Sequence, residues 1–311
     1  MVQSGSAALR IGTRGSPLAL EQARQVRDRI AALHGIDPAA IAIEVIRTSG
    51  DAIQDRVLSE AGGKGLFTKE IEEALFDGRI DMAVHSAKDM PTVLPTGLVI
   101  GACLAREDAR DCFISRVATG FADLPQGATL GTASLRRQAL ARRLRPDLQI
   151  VPLRGNVDTR LRKIDQGVAD ATLLALAGLK RLGKTDAARS VLGLDEFMPA
   201  VGQGVIAVEI RAADEKVAAL VAAIDHADTM ATFTAERAFL TVLDGSCRTP
   251  IAGHATLSGD RLQLKGLVIR PDGSELVMAT RAGDRKDAEW LGADAGRELK
   301  GRAGPDFFSP R

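Results

Sequence analysis

The chain has 311 residues, of which 45% are hydrophobic and 26% are charged, and its formal net charge is +1. This length predicts about two or three domains, and the composition is that of a globular protein with an apolar core. The net charge gives no support for a nucleic-acid-binding protein, and no apolar run reaches the length of about 18 residues that predicts a membrane-spanning helix.

The first third of the chain alternates strand and helix patterns. Strands are predicted at 8–13, 41–48, 80–84 and 98–104, and helices at 17–30 and 68–77. Ser16 is a typical N-cap, and Pro17 suits the first position of the helix that follows it. A second unit of the same kind is predicted from residue 112. It has strands at 112–115, 129–131, 149–153 and 171–176, and helices at 134–144, 157–166 and 179–182.

A different pattern begins near residue 230. A helix is predicted at 230–243, then strands at 252–257, 262–269 and 276–281 separated by turn residues, and a final helix at 286–300. The alternating part predicts two α/β domains with parallel sheets, covered by helices on both faces and flanking a cleft. The last part predicts a small α+β C-terminal domain.

Residues 84–91 place a carboxylate at the end of a predicted strand. Pro91 favours an extended Met90, so Asp89 should lie on a stiff turn past the strand's carboxyl end, where open α/β sheets bind ligands. Lys88 favours the ionised form of Asp89, and a fixed carboxylate can transfer a proton or stabilise a transient cation. The alternative is a solvated turn with an ordinary ion pair.

Three predicted strand-to-helix turns combine arginine with hydroxyl or amide side chains. They are residues 13–16, residues 132–137, and residues 153–156 with Arg160 one turn further on. Helix N-termini offer unpaired N–H groups and the positive end of the helix dipole, and arginine binds carboxylates. One such turn can be an ordinary cap, but three favour a polyanionic ligand. Residues 134–163 support this, because they contain nine basic and two acidic side chains.

Two glycine-rich segments resemble nucleotide sites without meeting their requirements. In residues 62–65 the phosphate-loop pattern fails, because Leu66 occupies the position of the magnesium-binding hydroxyl, and a mobile hinge is the better interpretation. Residues 202–207 match a dinucleotide fingerprint, but a strand pattern follows where a helix is required. We therefore predict no nucleotide binding at either segment.

The three cysteines, Cys103, Cys112 and Cys247, are widely spaced, which is typical of a reducing compartment and not of a disulfide framework. Cys103 and Cys112 lie in strand patterns and should be buried. Cys247 lies in a predicted loop before Arg248, where access and positive charge favour a thiolate. No metal-ligand spacing and no secretory N-terminal pattern is present, so we expect a cytoplasmic, metal-free protein that does not bind membranes.

Together these segments resemble the porphobilinogen deaminase (hydroxymethylbilane synthase) family over nearly the whole chain. The matching runs are residues 14–19, 62–67, 85–89, 131–137, 153–156, 177–182 and 199–204. The resemblance implies a transferase of porphyrin and heme biosynthesis. This enzyme condenses four porphobilinogen molecules head to tail into linear hydroxymethylbilane, releasing ammonia each time.

The resemblance also implies a fold and an oligomeric state. The implied fold has two α/β domains like those of periplasmic binding proteins. Domain 1 comprises residues 1–106 and 202–224, and domain 2 comprises residues 107–201. A third domain at residues 225–311 carries the cofactor. The protein is expected to be a monomer whose partner is its small-molecule substrate.

The implied cofactor is a dipyrromethane attached through a thioether to Cys247. A soft thiolate is a good trap for the electrophilic azafulvene carbon left by loss of ammonia, and the acetates and propionates of the pyrroles require arginines. Asp89 is the implied catalytic residue. The implied cofactor-binding residues are Cys247, Ser86, Lys88, Asp89, Thr132, Ser134, Arg136, Arg137 and Arg160. The implied substrate-binding residues are Arg14, Ser16, Arg154, Arg160, Arg181 and Gln203.

Two positions depart from some relatives, in which Ser49 is replaced by arginine and Glu60 by lysine. Roles assigned to those basic residues do not transfer to this chain.

Two other classes of protein compete with the enzyme. A solute receptor without catalysis would suit two α/β lobes but usually has an export signal. A nucleic-acid binder would use residues 134–163, but 3% aromatic content and the absence of tyrosine argue against base stacking.

Overall fold

The computed structural model describes residues 9–52, 66–244, 249–304 and 307–308. The described residues form two compact units. Unit 1 contains the described parts of 1–53, 63–106 and 205–230, and unit 2 contains those of 107–204 and 231–311. In the described part of the chain, no helix has both the length and the apolar character needed to cross a bilayer.

The described residues contain strands and helices numbered here in chain order. The strands are β1 (Leu9–Thr13), β2 (Ile41–Val45), β3 (Met82–Ser86), β4 (Leu98–Cys103), β5 (Asp111–Ser115), β6 (Thr129–Gly131), β7 (Gln149–Val151), β8 (Ala171–Ala175), β9 (Ser190–Val191), β10 (Ile206–Arg211), β11 (Ile251–Ser258), β12 (Arg261–Ile269) and β13 (Leu276–Asp284). The helices are α1 (Pro17–His34), α2 (Ser49–Ala52), α3 (Lys69–Phe76), α4 (Leu135–Leu144), α5 (Val157–Asp165), α6 (Leu176–Arg181), α7 (Glu215–Ala222), α8 (Ala227–Val242) and α9 (Ala288–Ala303).

Unit 1 is built on a five-stranded sheet of order β2-β1-β3-β10-β4. Helix α1 begins as predicted: the Ser16 hydroxyl accepts the Ala19 N–H at 3.2 Å, and Pro17 occupies the first turn. Its buried side chains include Val26 and Ile30, which pack with strand residues into one apolar core. Helix α3 packs on another set of strand residues, so the sheet is covered by two separate apolar clusters.

Unit 2 contains a second five-stranded sheet of order β7-β6-β8-β5-β9. The Ser134 hydroxyl caps α4 by accepting the Arg137 N–H, as its position predicted. The core beside this sheet includes Phe113, Phe121 and Phe197. Phe121 contacts Phe113 edge to face, with ring centroids 5.2 Å apart, and stacks on Phe197 at 5.8 Å.

The small C-terminal α+β domain is also present, as a three-stranded antiparallel sheet β11-β12-β13 with α8 and α9. The two helices approach closely at Gly292. A Cβ built on this residue would lie 2.0 Å from the carbonyl oxygen of Ala235, so no larger residue fits without movement of the helices.

The prediction of parallel sheets was wrong for one strand in each unit, which is antiparallel to both of its neighbours. β10 lies antiparallel between β3 and β4, and β5 lies antiparallel between β8 and β9. Both strands lie where the chain has just passed from one unit to the other. Neither follows a crossover helix from a strand of its own sheet, which is what makes neighbouring strands parallel. The sequence prediction also missed α7.

Candidate functional site

Unit 1 contains a pocket where β1 and β3 end and α1 begins, here named the Asp89 pocket. It is lined by Arg14, Ser16, Leu18, Ala19, Gln22, Phe67, Thr68, Val84, His85, Ser86 and Asp89. β1 and β3 are parallel, so the residues that follow them meet at the same edge of the sheet. The pocket therefore brings together the first predicted turn, residues 13–16, and the segment 84–89.

Asp89 ends a single 3₁₀ turn that follows β3. The turn spans Ala87–Asp89, and the next residue, Met90, is extended with φ −75° and ψ 150°, as Pro91 requires. Met90 and Ala87 are buried and anchor the turn, whereas the Asp89 side chain is 37% exposed. The predicted geometry of a carboxylate on a stiff turn is confirmed, and its exposure makes Asp89 accessible to a ligand.

Arg14 is the cation beside Asp89 within this pocket. Its guanidinium Nη1 lies 4.0 Å from Asp89 Oδ2, and its Cζ lies 4.2 Å from the centre of the Phe67 ring. An arginine stacked on an aromatic face is held in orientation with its edge open to hydrogen bonds. The arrangement suits a ligand that presents a carboxylate to Arg14 and a basic or cationic centre to Asp89.

Polar side chains complete the wall of the pocket. The Ser86 hydroxyl donates to Gln22 Oε1 at 3.0 Å, and Ser16 serves as the cap of α1. Gln22 is buried, with 2% of its surface exposed, and was not identified from the sequence. Lys88 is half-buried on the 3₁₀ turn. Five predicted site residues line or flank the pocket, and all belong to unit 1: Arg14, Ser16, Ser86, Lys88 and Asp89.

In unit 2, Arg136 and Arg137 of α4 share one buried carboxylate. Arg136 Nη2 donates to Asp111 Oδ2 at 2.8 Å and Arg137 Nη2 donates to Asp111 Oδ1 at 2.7 Å. Arg136 also donates to the carbonyl oxygen of Met198 at 2.7 Å. The carboxylate is fully buried, and the two arginines are 5% and 6% exposed. Asp111 was not predicted as part of any site.

The charges in this cluster do not cancel. Burial would raise the pKa of Asp111, but the guanidiniums of Arg137 and Arg136 outweigh burial and hold it well below its ordinary value. Two guanidiniums and one carboxylate leave a net positive charge, and the buried Nε–H groups of both arginines have no hydrogen-bond partner. A carboxylate near the exposed edge of the pair would balance the remaining positive charge.

Gln203 lies in the segment that precedes β10, and Arg181 at the end of α6 contacts the same segment. The Gln203 amide nitrogen donates to Asp111 Oδ1 at 2.9 Å and to the Ala109 carbonyl at 2.6 Å, and the side chain is fully buried. Arg181 donates to the Gly204 carbonyl at 2.8 Å. Burial lowers the pKa of Arg181 to about 10, which still leaves the guanidinium charged at neutral pH.

The third predicted turn lies between β7 and α5. Gly155 has φ +118°, a backbone conformation that favours glycine, and Asn156 caps α5 by accepting the Thr159 N–H at 2.9 Å. Arg160 donates to the Gly155 carbonyl at 2.8 Å, and Arg154 is half-buried. Thr132 accepts the Ser134 N–H at 3.1 Å at the start of α4. The predicted residues of these two turns therefore lie at the starts of α4 and α5, which follow the neighbouring strands β6 and β7.

The C-terminal domain is tied to this region by a carboxylate that sequence reasoning missed. Glu236 of α8 is fully buried and accepts the Gly202 N–H and the Ala255 N–H, each at 2.7 Å. Gly202 has φ +71° and directly precedes Gln203. A polar path thus runs from β11 through Glu236 to Gln203, Asp111 and the arginine pair. A single glutamate in an apolar helix gave no signal of this role.

Of the three cysteines, Cys103 and Cys112 are buried with no exposed surface, which confirms the sequence prediction. Burial raises the pKa of the Cys112 thiol to about 11, and the neighbouring Asp111 carboxylate adds to this rise. A thiol of this kind is a poor nucleophile at neutral pH. Cys247, like Glu60 and the glycines at 62–65, lies outside the described residues.

These features define, unit by unit, an α/β protein with arginines at its strand-to-helix turns and with an accessible carboxylate, Asp89, in the pocket of unit 1. The family described as "Porphobilinogen deaminase, dipyromethane cofactor binding domain" matches residues 9–219, and "Porphobilinogen deaminase, C-terminal domain" matches residues 230–301. The chain therefore belongs to the porphobilinogen deaminase family, whose cofactor is a dipyrromethane.

Individual relatives agree with this assignment. The porphobilinogen deaminase of Nitrobacter winogradskyi is 62% identical over 299 residues, which cover 96% of this chain and 95% of that protein. The porphobilinogen deaminase of Paracoccus denitrificans is 56% identical over 300 residues, covering 96% of both. Among solved structures, a periplasmic substrate-binding protein of an ABC transporter from Coxiella burnetii has a TM-score of 0.44 at 16% identity, covering 70% of this chain and 91% of that one.

Proposed function

We propose that this chain carries out the porphobilinogen deaminase reaction with Asp89 as its catalytic residue. The reaction joins four porphobilinogen molecules head to tail into hydroxymethylbilane and releases one ammonia per unit added. It makes the chain a transferase of porphyrin and heme biosynthesis. The observation that carries the proposal is the Asp89 pocket, in which an accessible carboxylate lies 4.0 Å from an arginine at the end of a buried parallel strand.

The residues present fit an anionic dipyrromethane. The arginine pair on α4 has an excess positive charge, because two guanidiniums share the single carboxylate of Asp111, and this charge favours binding of an anion. When bound, the dipyrromethane supplies the pyrrole carbon to which the first substrate unit is joined. We propose that it is held by Ser86, Lys88, Asp89, Thr132, Ser134, Arg136, Arg137 and Arg160, with its covalent link at Cys247.

Asp89 would act on the aminomethyl group of porphobilinogen. Its carboxylate oxygens can orient the ammonium group, which leaves as ammonia with its three protons when the C–N bond breaks, while the negative charge stabilises the cation that develops on the substrate pyrrole. Arg14, 4.0 Å away, would bind a substrate carboxylate and keep it in register with Asp89. The stacking of Arg14 on Phe67 fixes that guanidinium before the substrate arrives.

The remaining residues would hold the growing chain through its acetates and propionates. Ser16, Arg154, Arg160 and Arg181 are half-buried, so part of each side chain can reach a ligand. Gln203 has no exposed surface, and its amide is engaged by Asp111 and Ala109. We propose that Gln203 serves substrate binding by positioning the Asp111 carboxylate between the arginines.

Porphobilinogen is the proposed small-molecule partner, and we propose that the protein works as a cytoplasmic monomer without nucleic acid or membrane partners. The buried thiols of Cys103 and Cys112 support a reducing location. We also propose the division into residues 1–106 with 202–224, residues 107–201, and residues 225–311 as three domains. Light scattering of the purified protein over a range of concentrations would test the monomer.

The function is tested by incubating the purified protein with porphobilinogen. Ammonia and a linear tetrapyrrole should appear in a ratio of four to one. Porphobilinogen that binds without release of ammonia would favour a receptor without catalysis. Binding of polynucleotides with a steep dependence on salt would favour the nucleic-acid binder.

A further inference from the structure

Three ionisable side chains are buried behind the wall of the Asp89 pocket, and the proposed reaction does not use them. They are Glu72 of α3, His85 of β3 and Glu209 of β10, which are 7%, 6% and 0% exposed. His85 also lines the pocket itself, together with Thr68 at the start of α3. The three residues lie within unit 1 and come from three separate segments of the chain.

The strand register places them on one face of the sheet. In the antiparallel pairing of β3 with β10, Ala207 lies opposite His85 and Glu209 lies opposite Ala83, so the side chains of residues 83, 85, 207 and 209 share a face. His85 Nε2 lies 2.9 Å from Glu209 Oε2, a hydrogen bond between residues 124 positions apart. Ala83 packs against Ile71 and Leu75 of α3, so this is the face that α3 covers.

The charge of this cluster cannot be balanced by ion pairing alone. With both carboxylates ionised, one imidazolium would leave a net negative charge with little access to water, which is unfavourable. Glu72 Oε1 and Glu209 Oε1 are buried without hydrogen-bond partners, so a negative charge on either of these two oxygens would lack a donor. A cluster of one imidazole and two carboxyl groups is free of net negative charge only when at least one of the carboxyl groups is protonated.

Other charged groups on the elements that contact α3 are engaged away from the cluster. α3 contacts β1, β3 and β10. The pairs are Arg10 with Asp81, Lys69 with Glu73, Glu70 with Ser49, and Arg211 with Asp214. Burial is the largest effect on Glu72 and raises the pKa of its carboxyl. The Thr68 hydroxyl opposes this rise, the nearby Glu209 carboxylate adds to it, and His85 opposes it more weakly.

We propose that Glu72, His85 and Glu209 form a proton-holding cluster that keeps the wall of the Asp89 pocket free of net negative charge at working pH. Glu72 is then a positioning residue that acts on the substrate through His85. The inference rests on the proposed function, because its benefit is to a pocket that binds the acetates and propionates of porphobilinogen. Loss of the Glu72 proton at alkaline pH would place a negative charge behind those carboxylates and weaken their binding.

The test compares the pH profiles of kcat/KM and kcat for wild type, Glu72→Gln and Glu73→Gln. Glu73 is the next residue of α3 and is exposed, so its variant controls for loss of one charge from the helix. About one pH unit above the alkaline midpoint, wild type and Glu73→Gln should have lost about tenfold in kcat/KM, mostly through KM. Glu72→Gln should lose less than about twofold, because its amide cannot ionise. Superimposed profiles for all three proteins would overturn the proposal.

A measurement on the wild-type holoenzyme decides the question if Glu72→Gln does not fold. Infrared spectroscopy near neutral pH should detect the carbonyl band of a protonated carboxylic acid, and this band should vanish on the alkaline side. The absence of any such band would overturn the proposal. The infrared result does not depend on activity. If wild-type protein released no ammonia from porphobilinogen, the proposed function would be refuted, but the proton-holding cluster would not.

Discussion

Asp111 and Arg136 form a fully buried ion pair, in which the Arg136 Nη2 donates to Asp111 Oδ2 at 2.8 Å. The second oxygen of the same carboxylate binds Arg137, so one aspartate orients two guanidiniums that are adjacent in sequence. Without Asp111, both arginines would be buried beside each other as uncompensated like charges. Asp111 thus fixes the orientation of both guanidiniums and balances one of their two positive charges.

Replacing Asp111 with Asn should destabilise the protein by about 3–5 kcal/mol, because breaking a buried ion pair leaves charges without a partner. The folded pKa of Asp111 is lowered, so its contribution to stability is present above the ordinary value of 3.8 and is lost as the pH falls through the lower folded value. In urea unfolding, the free energy of unfolding of wild type should therefore decrease in acid. The variant should lack the part of this decrease that comes from protonation of Asp111. Asp165→Asn, on the exposed end of α5, is the control and should behave as wild type. Equal stability of Asp111→Asn and wild type at neutral pH would contradict the structure.

The purified wild-type protein should be heavier than its sequence by one dipyrromethane, and the additional mass should lie on a peptide containing Cys247. Cys112 is excluded as the nucleophile by its burial and its raised pKa of about 11. Cys247→Ser should fold but carry no added mass and no activity, which intact-mass spectrometry and ammonia release would check. Cys112→Ser is the matched control and should keep the adduct. Full activity of unmodified wild-type protein would refute the covalent link.

Asp89→Asn should separate chemistry from binding. The amide keeps the size of the side chain but cannot accept a proton or stabilise a cation, so turnover should fall about 10²–10⁴-fold while cofactor is still attached. Single-turnover ammonia release by protein already shown to carry the adduct is the decisive measurement. Asp77→Asn, at the exposed end of α3, serves as the control. The rate of ammonia release by Asp89→Glu should lie between the rates of wild type and Asp89→Asn. Near-normal release by Asp89→Asn would mean that Asp89 is only a turn residue.

Single replacement of Arg14, Arg154 or Arg160 by Gln should impair chain growth more than folding. Each removes the partner of a substrate carboxylate, which costs about 2–3 kcal/mol where the site is dry. Partly elongated covalent species should accumulate and be visible by mass spectrometry. Arg162→Gln is an exposed control on the same helix as Arg160. Unchanged activity in all three variants would show that these turns are only helix caps.

Local sequence signals predicted the parts of the fold that local physics determines. The cap at Ser16 with Pro17, the cap at Ser134, and the strand at 129–131 were placed correctly, because N-cap chemistry and side-chain periodicity act over a few residues. The turn that carries Asp89 was predicted for the same reason, since Pro91 acts on its direct neighbour.

Long-range partners gave no such signal. Asp111 pairs with residues 25 and 26 positions later, and His85 pairs with Glu209 across 124 positions, so each looks like an isolated charge at a strand in the sequence. The direction of β5 and β10 was mistaken because a short apolar run has the same pattern in parallel and antiparallel sheets. The resemblance to a family supplied the roles of site residues that neither periodicity nor composition could give.

The position of β10 in its sheet has a consequence for how the chain is made. β10 lies between β3 and β4, yet its residues, Ile206–Arg211, leave the ribosome after all of the strands β5–β9 of unit 2. Until then, β3 and β4 are unpaired edges of an incomplete sheet, a state that favours wrong pairing between nascent chains. The sheet that contains the first-synthesised strands is therefore completed only after every strand of the second five-stranded sheet has been made.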